Sequence, residues 1–288
     1  MATFKDFRNK VKPNWCPGCG DFSVLAAIQR ASANAGLEPH ELAIVSGIGC
    51  SGRISGYVHS NGYHGVHGRA LPIAQGLKMA NRELTVIAAG GDGDGFAIGM
   101  GHTVHAIRRN MDITYIVMDN QIYGLTKGQT SPRSSFGFKT KSTPEGSKES
   151  ALAPLELALA SGATFVAQSF STNIKQLTHI IEQAIQHKGF SFVNVFSPCV
   201  TFNKVNTYEW FKEHLVDVED FPEYDPSNRL MAMSKVIETE GMITGLLYRN
   251  DAQQPYEDHV PGFKKEALCK QNMKLTESQF EELLTEFK

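Results

Sequence analysis

The chain has 288 residues, 41% of them hydrophobic and 20% charged, with a formal net charge of −2. That length can bury a substantial core. The even charge balance excludes a basic stripe for nucleic acid and a polybasic membrane patch.

The first fifteen residues carry Lys5, Arg8, Lys10 and Lys12 without the apolar segment of a secretory leader. No run of about 18 apolar residues follows anywhere, so no membrane span is expected and a cytoplasmic location is. In a reducing compartment five cysteines point to metal or redox chemistry rather than to a disulfide framework.

Asp21 reads as the N-cap of a helix over Phe22–Ala35, and Gly36 as the residue that closes it. Short runs rich in Val and Ile then alternate with segments of helical spacing. Strands are expected at Leu42–Ile48, Leu84–Ala89, Ile113–Met118, Thr164–Ser169 and Phe192–Phe196. Helices are expected at Pro72–Asn81, Ile98–Arg109, Leu152–Ala160 and Ile174–His187, the last with Ile174, Leu177, Ile181 and Ile185 as a core stripe and Gly189 beyond its end. The alternation implies an α/β fold over residues 1–203, a parallel sheet with helices on both faces.

Two stretches break the pattern. Tyr123–Ser150 is rich in Thr, Ser, Gly, Pro and Lys and reads as a long functional connection. After Asn203 the alternation stops, and residues 204–288 read as an extension packing on the core or on a partner subunit. It ends in Thr276-Glu-Ser-Gln279, a capping box that opens a short amphipathic helix running to Phe287.

The strand at Leu84–Ala89 runs into Gly90-Gly91-Asp92-Gly93-Asp94-Gly95. Glycines there remove Cβ atoms and permit positive φ, so the backbone can approach a phosphate closely, and the next helix offers its N-terminus to an anion. The 26 residues between Gly93 and Asn120 accommodate one helix and one strand. That spacing sets Asp92 and Asn120 side by side at the carboxyl edge, where ligands bind in open α/β sheets. Two side-chain oxygens with a nearby backbone carbonyl can complete octahedral Mg²⁺ coordination around a diphosphate. A glycine-rich turn alone is a common structural element; the pairing with Asn120 is what gives the signal weight.

Trp15-Cys16-Pro17-Gly18-Cys19-Gly20 is a metal-type turn that can face two sulfurs toward one centre. Cys50 and Cys199 each follow an expected strand and so fall on the edge that carries Asp92 and Asn120. Four such cysteines can hold either tetrahedral zinc or a [4Fe–4S] cluster. Cys269 stands alone and reads as a free thiol. His64 and His67 lie in a glycine-rich loop, where a structural hydrogen-bonding role is as natural as a chemical one.

Trp-Cys-Pro-Gly-Cys-Gly-Asp, Gly-Ile-Gly-Cys-Ser-Gly-Arg, His67-Gly-Arg-Ala, Gly-Asp-Gly-Asp, Tyr-Gly-Leu-Thr-Lys-Gly-Gln and Ser-Pro-Cys-Val-Thr-Phe-Asn occur in order between Trp15 and Asn203. Together they resemble the β subunit of 2-oxoacid:ferredoxin oxidoreductases, in which such a chain has a thiamine-diphosphate-binding fold. The resemblance implies thiamine diphosphate, Mg²⁺ held by Asp92, Asn120 and the carbonyl of Ile122, and a [4Fe–4S] cluster on Cys16, Cys19, Cys50 and Cys199. It places Ile48, Gly49, Cys50, Ser51, His67, Gly91, Gly93, Asp94, Tyr123, Gly124, Leu125 and Thr126 around the cofactor, and Arg53 and Lys127 near the substrate carboxylate. One departure is Asp119-Asn120 where many members read Asn-Asn.

The activity so implied is oxidative decarboxylation of a 2-oxoacid to acyl-CoA, with electrons passing through the cluster to ferredoxin. 2-Oxoglutarate is the first expectation for the substrate and pyruvate the second. Thiamine also needs a carboxylic acid at its aminopyrimidine, and no Glu stands at a suitable strand end, so an α subunit is expected to bring it in a heterodimeric unit. Two alternatives stay open: a non-redox thiamine lyase or synthase subunit, and a zinc-stabilised subunit without catalysis.

Overall fold

Strand residues that are apolar at every position must be covered on both faces. The computed structural model, which describes residues 2–263, 266–272 and 274–287, is built on that requirement. Six parallel strands form its core: β1 (Leu42–Ser46), β2 (Asn61–His64), β3 (Thr85–Gly91), β4 (Thr114–Asp119), β5 (Phe165–Phe170) and β6 (Ser191–Phe196). With β7 (Val216–Asp217) and β8 (Ile243–Arg249) the sheet order is β2-β1-β3-β4-β6-β5-β8-β7, and β8 runs antiparallel to β5.

Successive side chains point to opposite faces. Val45, Val86, Ala88, Val117 and Phe192 pack under α2 (Ala70–Ala80), α3 (Met100–Arg109), α4 (Pro154–Ala160) and α7 (Arg229–Glu238). Ile44, Ile87, Ala89, Ile116 and Val193 pack under α1 (Asp21–Asn34) and α5 (Ile174–Gln186). Leu177 and Ile181 of α5 are fully buried there, with Ile174 and Ile185 at the margin, as a core stripe should be. The carboxyl ends of β1, β3, β4 and β6 are consecutive in the sheet and open on one edge.

Several local expectations change. Asp21 does not cap α1: it is the first helical residue, after Gly20, and its carboxylate accepts a hydrogen bond from Ser197 Oγ at 2.6 Å. A partner 176 positions away outcompetes the local amides. Gly36 does lie just past α1, at φ +78°, a left-handed position that favours glycine. Helix α5 ends at Gln186, three residues before Gly189.

Between β3 and α3 the chain makes one π-helical turn, Asp94–Ile98, so regular helix begins only at Met100. Turns of this kind recur at functional sites. Past Asn203 the strand–helix alternation resumes: α6 (Tyr208–His214), β7, α7 and β8 follow, and Ile243 and Leu247 of β8 are buried in the main core. A four-residue helix, α8 (Tyr256–His259), comes next. The capping box at Thr276 and Gln279 is formed and opens α9 (Glu277–Thr285). None of the helices described is long and apolar enough to cross a membrane.

The glycine-rich turn after β3 rests on aromatic packing. Phe192 stands 6.3 Å from Phe96 and 6.2 Å from Tyr115, ring centre to ring centre. Deleting a fully buried phenyl ring costs about 3–5 kcal/mol. Phe192→Ala is therefore expected to lose about that much in urea unfolding. A loss near zero would show that this layer does not support the turn.

Candidate active site

β3 delivers Gly91 and Asp92 to the sheet edge, and the next turn must pass close to its neighbour after β4. A Cβ on Gly93 would lie 2.2 Å from the Tyr123 ring. Only glycine lets the two turns meet there, and Tyr123 Oη donates to Gly93 O at 3.0 Å.

The turns enclose a cavity of about 160 Å³. Ile48, Gly49, Cys50 and Ser51 line it from the turn after β1, and His67 from the turn before α2. Gly91, Asp92, Gly93 and Asp94 come from the turn after β3, and Asn120, Ile122, Tyr123, Gly124, Leu125 and Thr126 from the turn after β4. Every residue that the sequence pointed to for the cofactor or for Mg²⁺ reaches this one space. No Glu is among the lining residues described.

Within it the two aspartates differ. Asp94 is a strut: its Oδ1 accepts from Ile48 N at 3.0 Å, Gly68 N at 2.8 Å and His67 Nδ1 at 2.6 Å, tying three turns together. That contact fixes the His67 ring and leaves its Nε2 available. Asp92 is 1% exposed; its Oδ2 accepts from Ser131 Oγ, and its Oδ1 has only a long 3.4 Å contact to Asn120 N. Burial and then the neighbouring Asp119 charge push the Asp92 carboxyl up to about 7. A cation at its free oxygen would favour the ionised form and reverse that shift. Asn120 Oδ1 accepts from Ile122 N at 3.1 Å, which draws the third proposed ligand into the same turn.

Two of the cysteines, Cys50 and Cys199, lie against Gly124. Cys19 N donates to Cys16 O at 3.0 Å, closing the Cys-Pro-Gly-Cys turn, and Gly18 O accepts from Tyr208 Oη at 2.9 Å. Trp15, 7% exposed, donates from its indole to Cys50 O at 2.7 Å and so pins the first cysteine segment to the third cysteine. A Cβ on Gly124 would stand 3.5 Å from Cys199 Sγ and 3.6 Å from Cys50 Sγ. A side chain at Gly124 would thus meet two of the sulfurs, one of them on Cys50, which itself lines the cavity.

Burial raises the Cys19 and Cys50 thiols, Cys50 to about 11, and the charge of Asp21 adds to both. Such thiols stay protonated at neutral pH and make poor free nucleophiles. A metal centre would bind them by displacing those protons. Among the described residues no three His, Cys, Asp or Glu side chains close on one point as a single-ion site requires. Cys16 is exposed, as is Cys269 in its short turn Leu268–Lys270.

Arg53 and Lys127 are exposed on turns that border the cavity, and neither lines it. His64 is exposed, with Nδ1 3.3 Å from Ser46 Oγ, which suits a structural role. The long connection after β4 holds what the sequence did not disclose. Arg133 Nε donates to Asp119 Oδ2 at 2.8 Å, and Ser131 and Ser134 are buried beside it. Polar side chains in an irregular segment carry no periodicity that would announce their burial. A second cavity of about 490 Å³ lies beyond Arg133, bordered by Leu152, Trp210 and Met242. Its wall carries Glu156 and Glu240 as well as Arg133 and His214, and none of the glycine-rich turn after β3 reaches it.

The chain resembles known proteins in sequence and in fold. Residues 47–195 match the family described as thiamine pyrophosphate enzyme, C-terminal TPP binding domain. Residues 199–265 match the family that describes the C terminal of the pyruvate ferredoxin oxidoreductase beta subunit. The chain is 42% identical to 2-oxoacid:ferredoxin oxidoreductase 1, subunit beta, of Aeropyrum pernix, over 88% of its own length and 83% of that protein. It is 41% identical to the 2-oxoglutarate synthase subunit KorB of Archaeoglobus fulgidus, over 73% and 79%. Among solved structures it is similar to 2-oxoglutarate:ferredoxin oxidoreductase from Magnetococcus marinus, a structure with 2-oxoglutarate, coenzyme A and succinyl-CoA bound. That likeness has a TM-score of 0.90 and 38% identity, and covers 98% of this chain and 96% of the other.

Proposed function

The chain belongs to the family of β subunits of 2-oxoacid:ferredoxin oxidoreductases, and from that premise we propose that it binds thiamine diphosphate, Mg²⁺ and a [4Fe–4S] cluster and oxidises 2-oxoglutarate. In the proposed reaction a 2-oxoacid and coenzyme A give acyl-CoA, CO₂ and a proton, and two electrons leave through the cluster to ferredoxin. The observation that carries this reading is Gly124, which lines the cavity together with Cys50 and lies against the sulfurs of Cys50 and Cys199. When bound, thiamine diphosphate supplies the electron sink for cleavage beside the oxo carbon, and the cluster takes up electrons one at a time.

The chain's own residues then have distinct tasks. Asp92, Asn120 and the Ile122 carbonyl hold Mg²⁺ with hard oxygen ligands, as that ion prefers. Asp94 and His67 keep the surrounding turns in register, and Tyr123 closes the wall beside Gly93. Cys16, Cys19, Cys50 and Cys199 ligate the cluster. In such a cluster each thiolate meets a different iron. Arg53 and Lys127 present cations at the rim to the carboxylates of the incoming acid. The missing Glu in the cavity supports an α subunit that completes the site, in a heterodimeric unit of the cytoplasm.

The substrate reading leans on the Magnetococcus marinus structure, which has 2-oxoglutarate bound, and on two rim cations for a dicarboxylate. Assayed anaerobically with its partner, the assembly should show a higher kcat/KM for 2-oxoglutarate than for pyruvate, and should require coenzyme A. A preference for pyruvate would overturn the substrate; turnover by this chain alone would overturn the need for a partner.

A further inference from the structure

The segment after β4 is irregular, yet its middle is anchored more firmly than a surface connection needs to be. Ser131, Arg133 and Ser134 are 7%, 8% and 3% exposed. Ser134 Oγ donates to Gln121 O at 2.7 Å and accepts from Ser131 N at 2.9 Å, which joins the segment to the turn that carries Asn120 and Ile122. The Arg133 guanidinium bridges Asp119 Oδ2 at 2.8 Å and the Leu152 carbonyl, so it is fixed at both ends.

These anchors aim one hydroxyl. Ser131 Oγ accepts from Arg133 N at 3.2 Å, which leaves its own proton to point elsewhere, and it donates that proton to Asp92 Oδ2. The second carboxylate oxygen, Oδ1, keeps only its 3.4 Å contact to the Asn120 amide. A buried carboxylate that ligates a cation is itself held by outer hydrogen bonds, and those partners set its orientation.

We propose that Ser131 is a positioning residue for the cation site: it engages Oδ2 of Asp92 so that Oδ1 is the oxygen presented to Mg²⁺, while Arg133 and Ser134 hold Ser131 in place. The inference rests on the reading of Asp92 as a magnesium ligand. It gives the long connection a task, that of an arm reaching from Gln121 to Leu152 and bracing the metal end of the diphosphate site.

The test uses the purified assembly, stripped of cofactor and metal and then titrated with Mn²⁺ in the presence of thiamine diphosphate, with free Mn²⁺ read by electron paramagnetic resonance. Ser131→Ala should weaken Mn²⁺ by about 10–100-fold, the usual cost of losing an outer partner of a metal ligand. Ser131→Thr, which keeps the hydroxyl, should bind close to the wild type, and Ser142→Ala on the exposed part of the same connection should bind like it. Unchanged affinity in Ser131→Ala overturns the inference, and so does a weakening that Ser131→Thr shares. Asp92→Asn separates the two levels. If it loses Mn²⁺ while Ser131→Ala does not, only the role of Ser131 falls; if it binds as the wild type does, the magnesium reading falls with it.

Discussion

Asp92→Asn is expected to abolish retention of thiamine diphosphate and with it all turnover. The substitution keeps shape and volume but removes the carboxylate charge that the reading assigns to the cation. Removing an outer partner of a metal ligand costs about 10–100-fold in affinity, so removing the ligand charge itself should cost at least about 100-fold. The fold should survive. Asp92 is buried, and burial and then the neighbouring Asp119 charge both oppose its ionisation; a neutral amide removes that penalty. Cofactor content after gel filtration in excess Mg²⁺ reads the first effect, and the thermal midpoint of the cofactor-free protein reads the second. Wild-type cofactor content in the variant would show that Asp92 does not hold the metal. A collapsed midpoint would show that it acts chiefly in the fold.

The second large effect is expected at Cys199. Cys199→Ser should cut the iron content of the anaerobic protein from about four atoms per chain to a small remainder, because such a cluster takes four thiolates. Electron delivery to ferredoxin should disappear with it. Thiamine diphosphate should still bind, since Cys199 is not among the residues that line the cavity. Cys269→Ser, at an exposed thiol in a short turn, should leave both properties intact. Zinc in place of iron in the wild type would favour the zinc-stabilised alternative. Iron that persists in Cys199→Ser would remove Cys199 from the ligand set.

What the sequence reveals and what it conceals follow physical lines. Strands buried on both faces announce themselves, because Ile44, Ile87 and Ile116 fill one face and Val45, Val86 and Val117 the other, so their centres read as unbroken apolar runs. β2 has the opposite character: Asn61, Gly62, Tyr63 and His64 are all exposed, so the strand, held by its backbone ladder to β1 and by side-chain hydrogen bonds from Asn61 and His64, shows no apolar run. β8 hides behind a polar, proline-punctuated stretch and enters antiparallel beside β5, unlike the parallel strands before it.

The site divides in the same way. Glycines and cysteines at strand ends carry chemistry that is legible locally, and the structure gathers the residues around Asp92 into one cavity and sets Cys50 and Cys199 against its wall. Asp21 misleads because Ser197, not a neighbouring amide, takes its carboxylate. Ser131 and Arg133 stay hidden because their importance lies in what they touch, Asp92 and Asp119, and nothing in a polar loop signals a contact 39 or 14 residues away.

The shared wall at Gly124 predicts that chemistry in the cavity is felt at the sulfurs. The direct measurement is the visible absorbance of the anaerobically purified assembly on adding 2-oxoglutarate, with and without coenzyme A, before any ferredoxin is present. Bleaching of the cluster band on adding the 2-oxoacid, deepened by coenzyme A and absent in Asp92→Asn, is the predicted result. An iron-containing protein whose band ignores every 2-oxoacid, or a colourless iron-free one that still cleaves them, would contradict the account.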